Sequence, residues 1–339
     1  MITDEAATND PTPSRRLWRQ RFFLITSTLL CLAVAHVYWH QPDALAAVTL
    51  IPAWCWIVPA YVLLRYGMNR THRAESWLSL LLWGVFFGLF VDEIPSLWRG
   101  LTSTASAERP AYDRPEAIRV VTANCSQGTI EAVTRTLEFQ PSILLLQESP
   151  GKEALSEIAV EYFGDGESLL HGQDTSILAK GKITAHEVPR DVKCRMARVE
   201  LTDGPTLLVV CLRLTPPPAR IDFCSPEFWK AHAENRRQHR QELLDILAEV
   251  ESLNSSHPVL IGGDFNLQPR DTALDSLRKN FRDAFREVGH GWGHTGTNAF
   301  PLFRVDMLWS SETLKPLSVI ADYNEASDHR LVVGDFVVE

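Results

Sequence analysis

Residues 258–269 read PVLIGGDFNLQP. The apolar run Pro258–Ile261 has the pattern of a buried strand in a sheet covered on both faces. It passes through Gly262 and Gly263, which allow a tight backbone turn, directly into Asp264, Phe265 and Asn266. A dry strand that ends in a carboxylate and a carboxamide has two explanations. Asp and Asn are common turn residues because their side chains bond nearby backbone groups. Alternatively, a rigid strand end is a good place to hold a functional group.

Other apolar runs end the same way. Ile118–Ala123 ends at Asn124, Ser142–Leu146 at Gln147 and Glu148, and Leu207–Leu212 at Arg213. Asp306 interrupts the apolar string Leu302, Phe303, Val305, Met307, Leu308, and Asp328 and His329 precede the strand-like run Leu331–Val338. Further strands are expected at 176–179, 195–201 and 305–309. Helices are expected at 129–139, 152–163 and, as a long charged amphipathic element, 226–253. This alternation over about 220 residues indicates a layered α/β domain. If its sheets bring the strand ends to one edge, several oxygen donors and one imidazole converge, a set suited to a hard cation with a proton carrier beside it.

The stretches VVTAN (120–124), ILLLQE (143–148), DTSILAK (174–180), VVCLRL (209–214), IGGDFN (261–266), FRVDMLWSS (303–311) and ASDHRLVV (326–333) resemble the endonuclease/exonuclease/phosphatase superfamily with its deoxyribonuclease-like fold. The resemblance implies a four-layer α/β sandwich, two packed β-sheets flanked by helices, and metal-dependent hydrolysis of a phosphate ester. It implies Glu148 as principal ligand of Mg²⁺ (or Mn²⁺), with Asn124 and Asp328 as further metal residues. His329 is the implied catalytic histidine, Asp306 its orienting carboxylate, and Asp264 the group that positions or deprotonates the attacking water. Asn266 is implied to hold a phosphate oxygen, and Arg213 is a second candidate for that contact. Two positions depart from the pattern. Ser126 stands where many nucleases carry an acid, and Arg213 stands where many members carry histidine or tyrosine. Because arginine stays protonated, Arg213 cannot serve as a base. These departures leave a catalytically silent phosphate-binding module as the alternative.

The front of the chain is of another kind. Phe22–Trp39, Ala44–Leu64 and Trp77–Trp98 each approach the roughly 20 apolar residues needed to cross a bilayer. Aromatic residues near their ends suit a membrane interface. Arg15, Arg16, Arg19 and Arg21 precede the first segment, no Lys or Arg follows it before the second, and Arg65, Arg70 and Arg73 follow the second. The positive-inside rule then places the N-terminus in the cytoplasm and, after three crossings, the remainder outside. The alternative for the first segment is a signal peptide, with Ala44-Leu45-Ala46 as a cleavage pattern. The expected organisation is a membrane anchor over 1–99, a polar linker over 100–117 and a catalytic domain over 118–339. A multi-pass cell-membrane protein with an extracytoplasmic catalytic domain follows.

Residues 110–339 carry 24 Lys and Arg against 34 Asp and Glu. Tight duplex nucleic-acid binding usually presents a basic surface, and none stands out. The expected partners are a phosphate-ester substrate and the lipid bilayer, with no protein partner indicated. The six cysteines lack metal spacing and read mainly as buried thiols. His290 and His294 lie in a Gly-rich loop unsuited to a helical zinc pair, and nearby Trp292 could stack on substrate or pack. Arg236, Arg237, His239 and Arg240 read as a solvated helix face.

Overall fold

The computed structural model describes residues 13–102, 116–164, 168–188, 192–220, 222–253 and 256–339. The expected linker lies for the most part outside them. Two compact units emerge. One comprises the described residues of Met1–Pro42 together with Ile51–Val91; the other comprises Asp43–Leu50 and Asp92–Glu339.

In the first unit, α1 (Pro13–His40) opens with Arg15, Arg16, Arg19 and Arg21 and is predominantly apolar from Phe22 on, and its stretch Ser14–His40 is the one described helix long and apolar enough to cross a membrane unaided. The other two expected spans are not continuous helices. Over 44–64 the chain forms a 3₁₀ turn and α2 (Ala46–Leu50), stops at Pro52, and resumes before α3 (Ile57–Gly67). Pro52 has no N–H to donate and pushes the preceding residue out of helical geometry. Over 77–98, α4 (Arg73–Phe90) ends at an extended Val91 and α5 (Glu93–Thr102) begins anew. Asp92 and Glu93 fall at that break, where the second unit resumes, and pair within that unit with Arg270 and His294. Within the first unit, Ser27 Oγ accepts from Ser79 (2.9 Å) and from the Trp83 indole (3.0 Å), tying α1 to α4. Polar bonds of this kind hold apolar helices together where water is scarce.

The second unit is an α/β sandwich. Its first sheet contains β1 (Ile118–Asn124), β2 (Ile143–Gln147), β3 (Leu169–Leu170), β4 (Thr175–Ala179), β11 (Leu314–Asp322) and β12 (Leu331–Val338), in the order β11-β12-β1-β2-β4-β3. Its second contains β5 (Gly181–His186), β6 (Cys194–Leu201), β7 (Thr206–Arg213), β8 (Val259–Asp264), β9 (Phe281–Asp283) and β10 (Asp306–Ser311), in the order β5-β6-β7-β8-β10-β9. A dry core containing Val120, Ile143, Val209 and Leu260 joins the two sheets. The first sheet packs outward against α6 (Ile130–Leu137) and α7 (Lys152–Ile158), the second against α8 (Pro226–Ser252). Ser225 caps α8 by accepting from Glu227 N, and Pro226 fills its first turn, where no N–H is needed.

The glycines of the opening stretch do not make a turn. Both lie inside β8. At Gly263 φ is +142°, and a Cβ would stand 1.9 Å from Leu212 O on β7. At Gly262 a Cβ would meet Leu145 across the inter-sheet core at 2.6 Å. Close backbone approach, and not chain reversal, requires glycine here.

Candidate active site

Strand register assembles the site. In the second sheet Arg213 pairs with Asp264, and Asp264 with Asp306, forming one row across β7, β8 and β10. In the first sheet Asn124 pairs with Gln147 at the ends of the parallel strands β1 and β2, and Glu148 follows. Asn124 Nδ2 spans the two sheets, 3.3 Å from Glu148 Oε1 and 3.3 Å from Asp264 Oδ2. The loop before β12 then brings in Ser327, Asp328 and His329. Ser327 Oγ donates to Asn124 O (2.7 Å), and the His329 N–H donates to Ser327 Oγ (3.0 Å).

His329 Nδ1 lies 2.8 Å from Asp306 Oδ2, leaving Nε2 as the free edge of the imidazole. Burial disfavours the imidazolium, but the charge and hydrogen bond of Asp306, with Asp264 and Asp328 nearby, outweigh it and lift His329 to about 10. Burial first, and then neighbouring Asp306, push the Asp264 carboxyl up to about 7 against the pull of His329, the Asn266 N–H and Arg213. Asp264 is fixed by Asn266, whose N–H (3.0 Å) and Nδ2 (3.1 Å) both donate to it. Nδ2 also donates to Leu214 O (2.9 Å), so both amide hydrogens of Asn266, expected on a phosphate oxygen, are used within the chain.

Glu148 sits among donors. Oε1 accepts from Arg213 (2.7 Å) and Oε2 from the Gln127 N–H (2.7 Å). Arg213 also reaches Asp174 Oδ1 at 3.1 Å, and its Nε lies 3.9 Å from Asp264 Oδ2. Several of these residues hold left-handed backbone: Glu148 (φ 48°), Asn266 (φ 51°), Ser126 (φ 40°) and Gln127 (φ 61°). Such conformations cost on the order of 1–3 kcal/mol each and cluster where surroundings force a side chain into place.

The structure thus brings Asn124, Glu148, Arg213, Asp264, Asn266, Asp306 and His329 together. Asp328 joins through Ser126, which donates to its carboxylate and accepts from its N–H (2.9 Å). Ser126, at the departure from the acidic pattern, therefore knots two site loops together. Sequence reasoning missed the ion-pair role of Asp174, although DTSILAK opens with it, and the Gln127 N–H, which carries no sequence signal.

The residues suit a hard divalent cation in part. Their donors are carboxylate and carboxamide oxygens, and Asp306 Oδ1 and Asp174 Oδ2 are buried with no hydrogen-bond partner. Among the described residues, one group of His, Cys, Asp or Glu side chains has ligand atoms within 4.8 Å of one another, Asp264, Asp306 and His329; the expected set Glu148, Asn124 and Asp328, which includes a carboxamide, is a second candidate. In the first group the imidazolium already supplies a positive charge. In the second, Asn124 turns its Nδ2 towards Glu148, and a half-turn of the carboxamide would present the oxygen a cation needs.

Other expectations resolve into packing. Arg236 and His239 are buried, with Arg236 paired to Asp271 (2.8 Å), so these two do not belong to the expected solvated face; Arg237 stays exposed and Arg240 partly exposed while reaching Asp43 at 3.3 and 3.0 Å. His294 pairs with Glu93 at 2.6 Å, and Trp292 stacks on His294 with ring centroids 4.4 Å apart. The six cysteines are free thiols; Cys31, Cys125, Cys194 and Cys211 are buried and Cys224 is exposed.

Comparison with known proteins agrees with this geometry. Residues 121–329 match the Endonuclease/Exonuclease/phosphatase family. A search of the curated proteins finds no match. Among solved structures, the endonuclease/exonuclease/phosphatase from Bacteroides vulgatus is similar at 15% identity and a TM-score of 0.51, covering 66% of this chain and 99% of that one. The corresponding protein from Beutenbergia cavernae DSM 12333 is similar at 15% identity and a TM-score of 0.50, covering 66% and 72%. A family protein from Bacteroides thetaiotaomicron matches at 12% and 0.50, covering 67% and 99%. At these identities the structural likeness shows the fold, and the family match over most of the sandwich unit carries membership. The chain belongs to the endonuclease/exonuclease/phosphatase family.

Proposed function

We propose that this protein is a membrane-anchored, divalent-metal-dependent hydrolase of phosphate esters. The observation that carries the reading is the pairing of a proton acceptor and a proton donor in one pocket: an Asp264 carboxyl lifted to about 7 and an imidazolium held by Asp306. Asp264 takes the proton of the attacking water as its oxygen bonds to phosphorus. The bond from phosphorus to the leaving oxygen breaks, and that oxygen takes the proton of His329. A carboxylate that can take a proton near neutral pH, beside an imidazolium that can give one, is suited to such an exchange. Asn266 keeps Asp264 aimed, and reaches a phosphate oxygen only by giving up one of its two bonds. Glu148, Asn124 and Asp328 are the residues that would hold Mg²⁺ or Mn²⁺, and the cation would offset charge on the phosphoryl group.

Hydrolysis of bis-p-nitrophenyl phosphate by the full-length protein in detergent tests this reading. Activity is expected with Mg²⁺ or Mn²⁺, lost with EDTA and restored by added metal. Binding of inorganic phosphate without turnover under any divalent cation would instead establish the silent module.

The anchor rests on the apolar length of α1 and on Arg15, Arg16, Arg19 and Arg21 before its apolar part. Three crossings, which place the sandwich outside the cytoplasm, require each broken helix pair to act as one span. An alkaline phosphatase fusion after Gly100 is expected to be active; an inactive fusion reverses the topology.

A further inference from the structure

We infer that Arg213 is a built-in counter-cation that occupies Glu148 in the metal-free site and moves onto the phosphate when substrate arrives, so that metal and substrate load cooperatively. The inference rests on the metal-dependent reading above.

One guanidinium faces three carboxylates. It bonds Glu148 Oε1 at 2.7 Å and Asp174 Oδ1 at 3.1 Å, and its Nε stands 3.9 Å from Asp264 Oδ2. The side chain is only 15% exposed. Its Nε is buried with no hydrogen-bond partner, and so is Asp174 Oδ2 beside it. An unsatisfied donor on a charged group is costly, and a phosphate oxygen would satisfy it. Lys193 lies 3.4 Å from Asp174 Oδ1 and is half exposed, so a second cation shares the Asp174 anchor.

Arginine keeps its charge across the whole working pH range. In the metal-free site it lets Glu148, Asp174 and Asp264 stand close together. A divalent ion at Glu148 then meets a positive charge already bonded to the same oxygen, and the two compete. A phosphate presents paired oxygens that fit the planar fork of the guanidinium. Drawn to phosphate while still tied to Asp174, Arg213 releases Glu148, and the ion and substrate each favour the other. No covalent bond changes in this exchange.

Mn²⁺ binding, followed through the free-ion electron paramagnetic resonance signal, tests it on the full-length protein in detergent. Arg213→Met is expected to bind Mn²⁺ at least about tenfold more tightly than wild type without phosphate, as removal of an adjacent unit charge requires. Arg213→Gln, which keeps donors without charge, is expected to do the same should the methionine variant fail to fold. Inorganic phosphate is expected to tighten Mn²⁺ binding several-fold more in wild type than in either variant. Unchanged or weaker Mn²⁺ affinity in the variants, with Mn²⁺-dependent hydrolysis intact in wild type, overturns this inference alone. Absence of Mn²⁺ binding to every form overturns it together with the metal-dependent reading.

Discussion

Two carboxylate–cation pairs lie in this pocket, Glu148–Arg213 at 2.7 Å and Asp306–His329 at 2.8 Å. Both partners of the first pair are partly exposed, whereas Asp306 is fully buried. The greater difference is chemical. A guanidinium cannot give up its proton, so the first pair manages charge; an imidazolium can, so the second stores a proton. The same electrostatic motif in one pocket thus supports two jobs, set by which cation the chain supplies.

The sharpest way to break that distinction is to remove the proton store. His329→Ala is expected to lower turnover of bis-p-nitrophenyl phosphate by about 10²–10⁴-fold, the range for loss of a positioned acid. Retention of most of the turnover would make the two pairs equivalent and the proton role wrong.

A smaller and more local effect is expected at the orienting residue. In EDTA-treated protein, NMR titration should find His329 near 10, and Asp306→Asn should bring it back towards the ordinary 6.5. Because the folded value lies above the unfolded one, the paired imidazolium stabilises the fold fully below pH 6.5 and loses that contribution as pH rises through about 10. Urea unfolding should therefore show Asp306→Asn less stable than wild type at pH 6, with the gap narrowing towards pH 10. A gap that stays constant over that window would assign the pair a purely structural role.

Legibility followed burial. The strands buried on both sides, β1, β2, β7 and β8, stand out as continuous apolar runs; the first three lie within about a residue of their expected limits, whereas β8 runs on through Gly262 and Gly263 to Asp264, three residues past the expected end at Ile261. β5 and β11 did not stand out because they are edge strands with half-buried, mixed patterns. Pro316 further disguises β11, where a register shift accommodates it at the sheet edge. The apolar spans after α1 were legible as composition but not as continuous helices. Hydropathy does not register that Pro52 stops one, or that Asp92 and Glu93 already belong to the sandwich unit and pair there with Arg270 and His294.

Within the pocket, residue types at strand ends were visible one by one. Their partners were not. The left-handed backbone of Glu148 is forced on a residue type that does not ordinarily adopt it, so it leaves no trace in residue identity. Arg236 on α8 shows the converse, since a charged residue within a basic run is buried because Asp271 meets it inside the fold.

By itself the sequence determined an apolar helix at the front, an α/β sandwich behind it, and the kinds of side chain that end the strands. These depend on hydrophobic pattern and on chemistry local to each segment. Only the tertiary structure decided that Arg213 bonds Glu148, that Asn266 turns both amide hydrogens inward, and that Ser126 ties two loops together. Those outcomes depend on strand register and on distances between residues far apart in the chain, which no local pattern encodes.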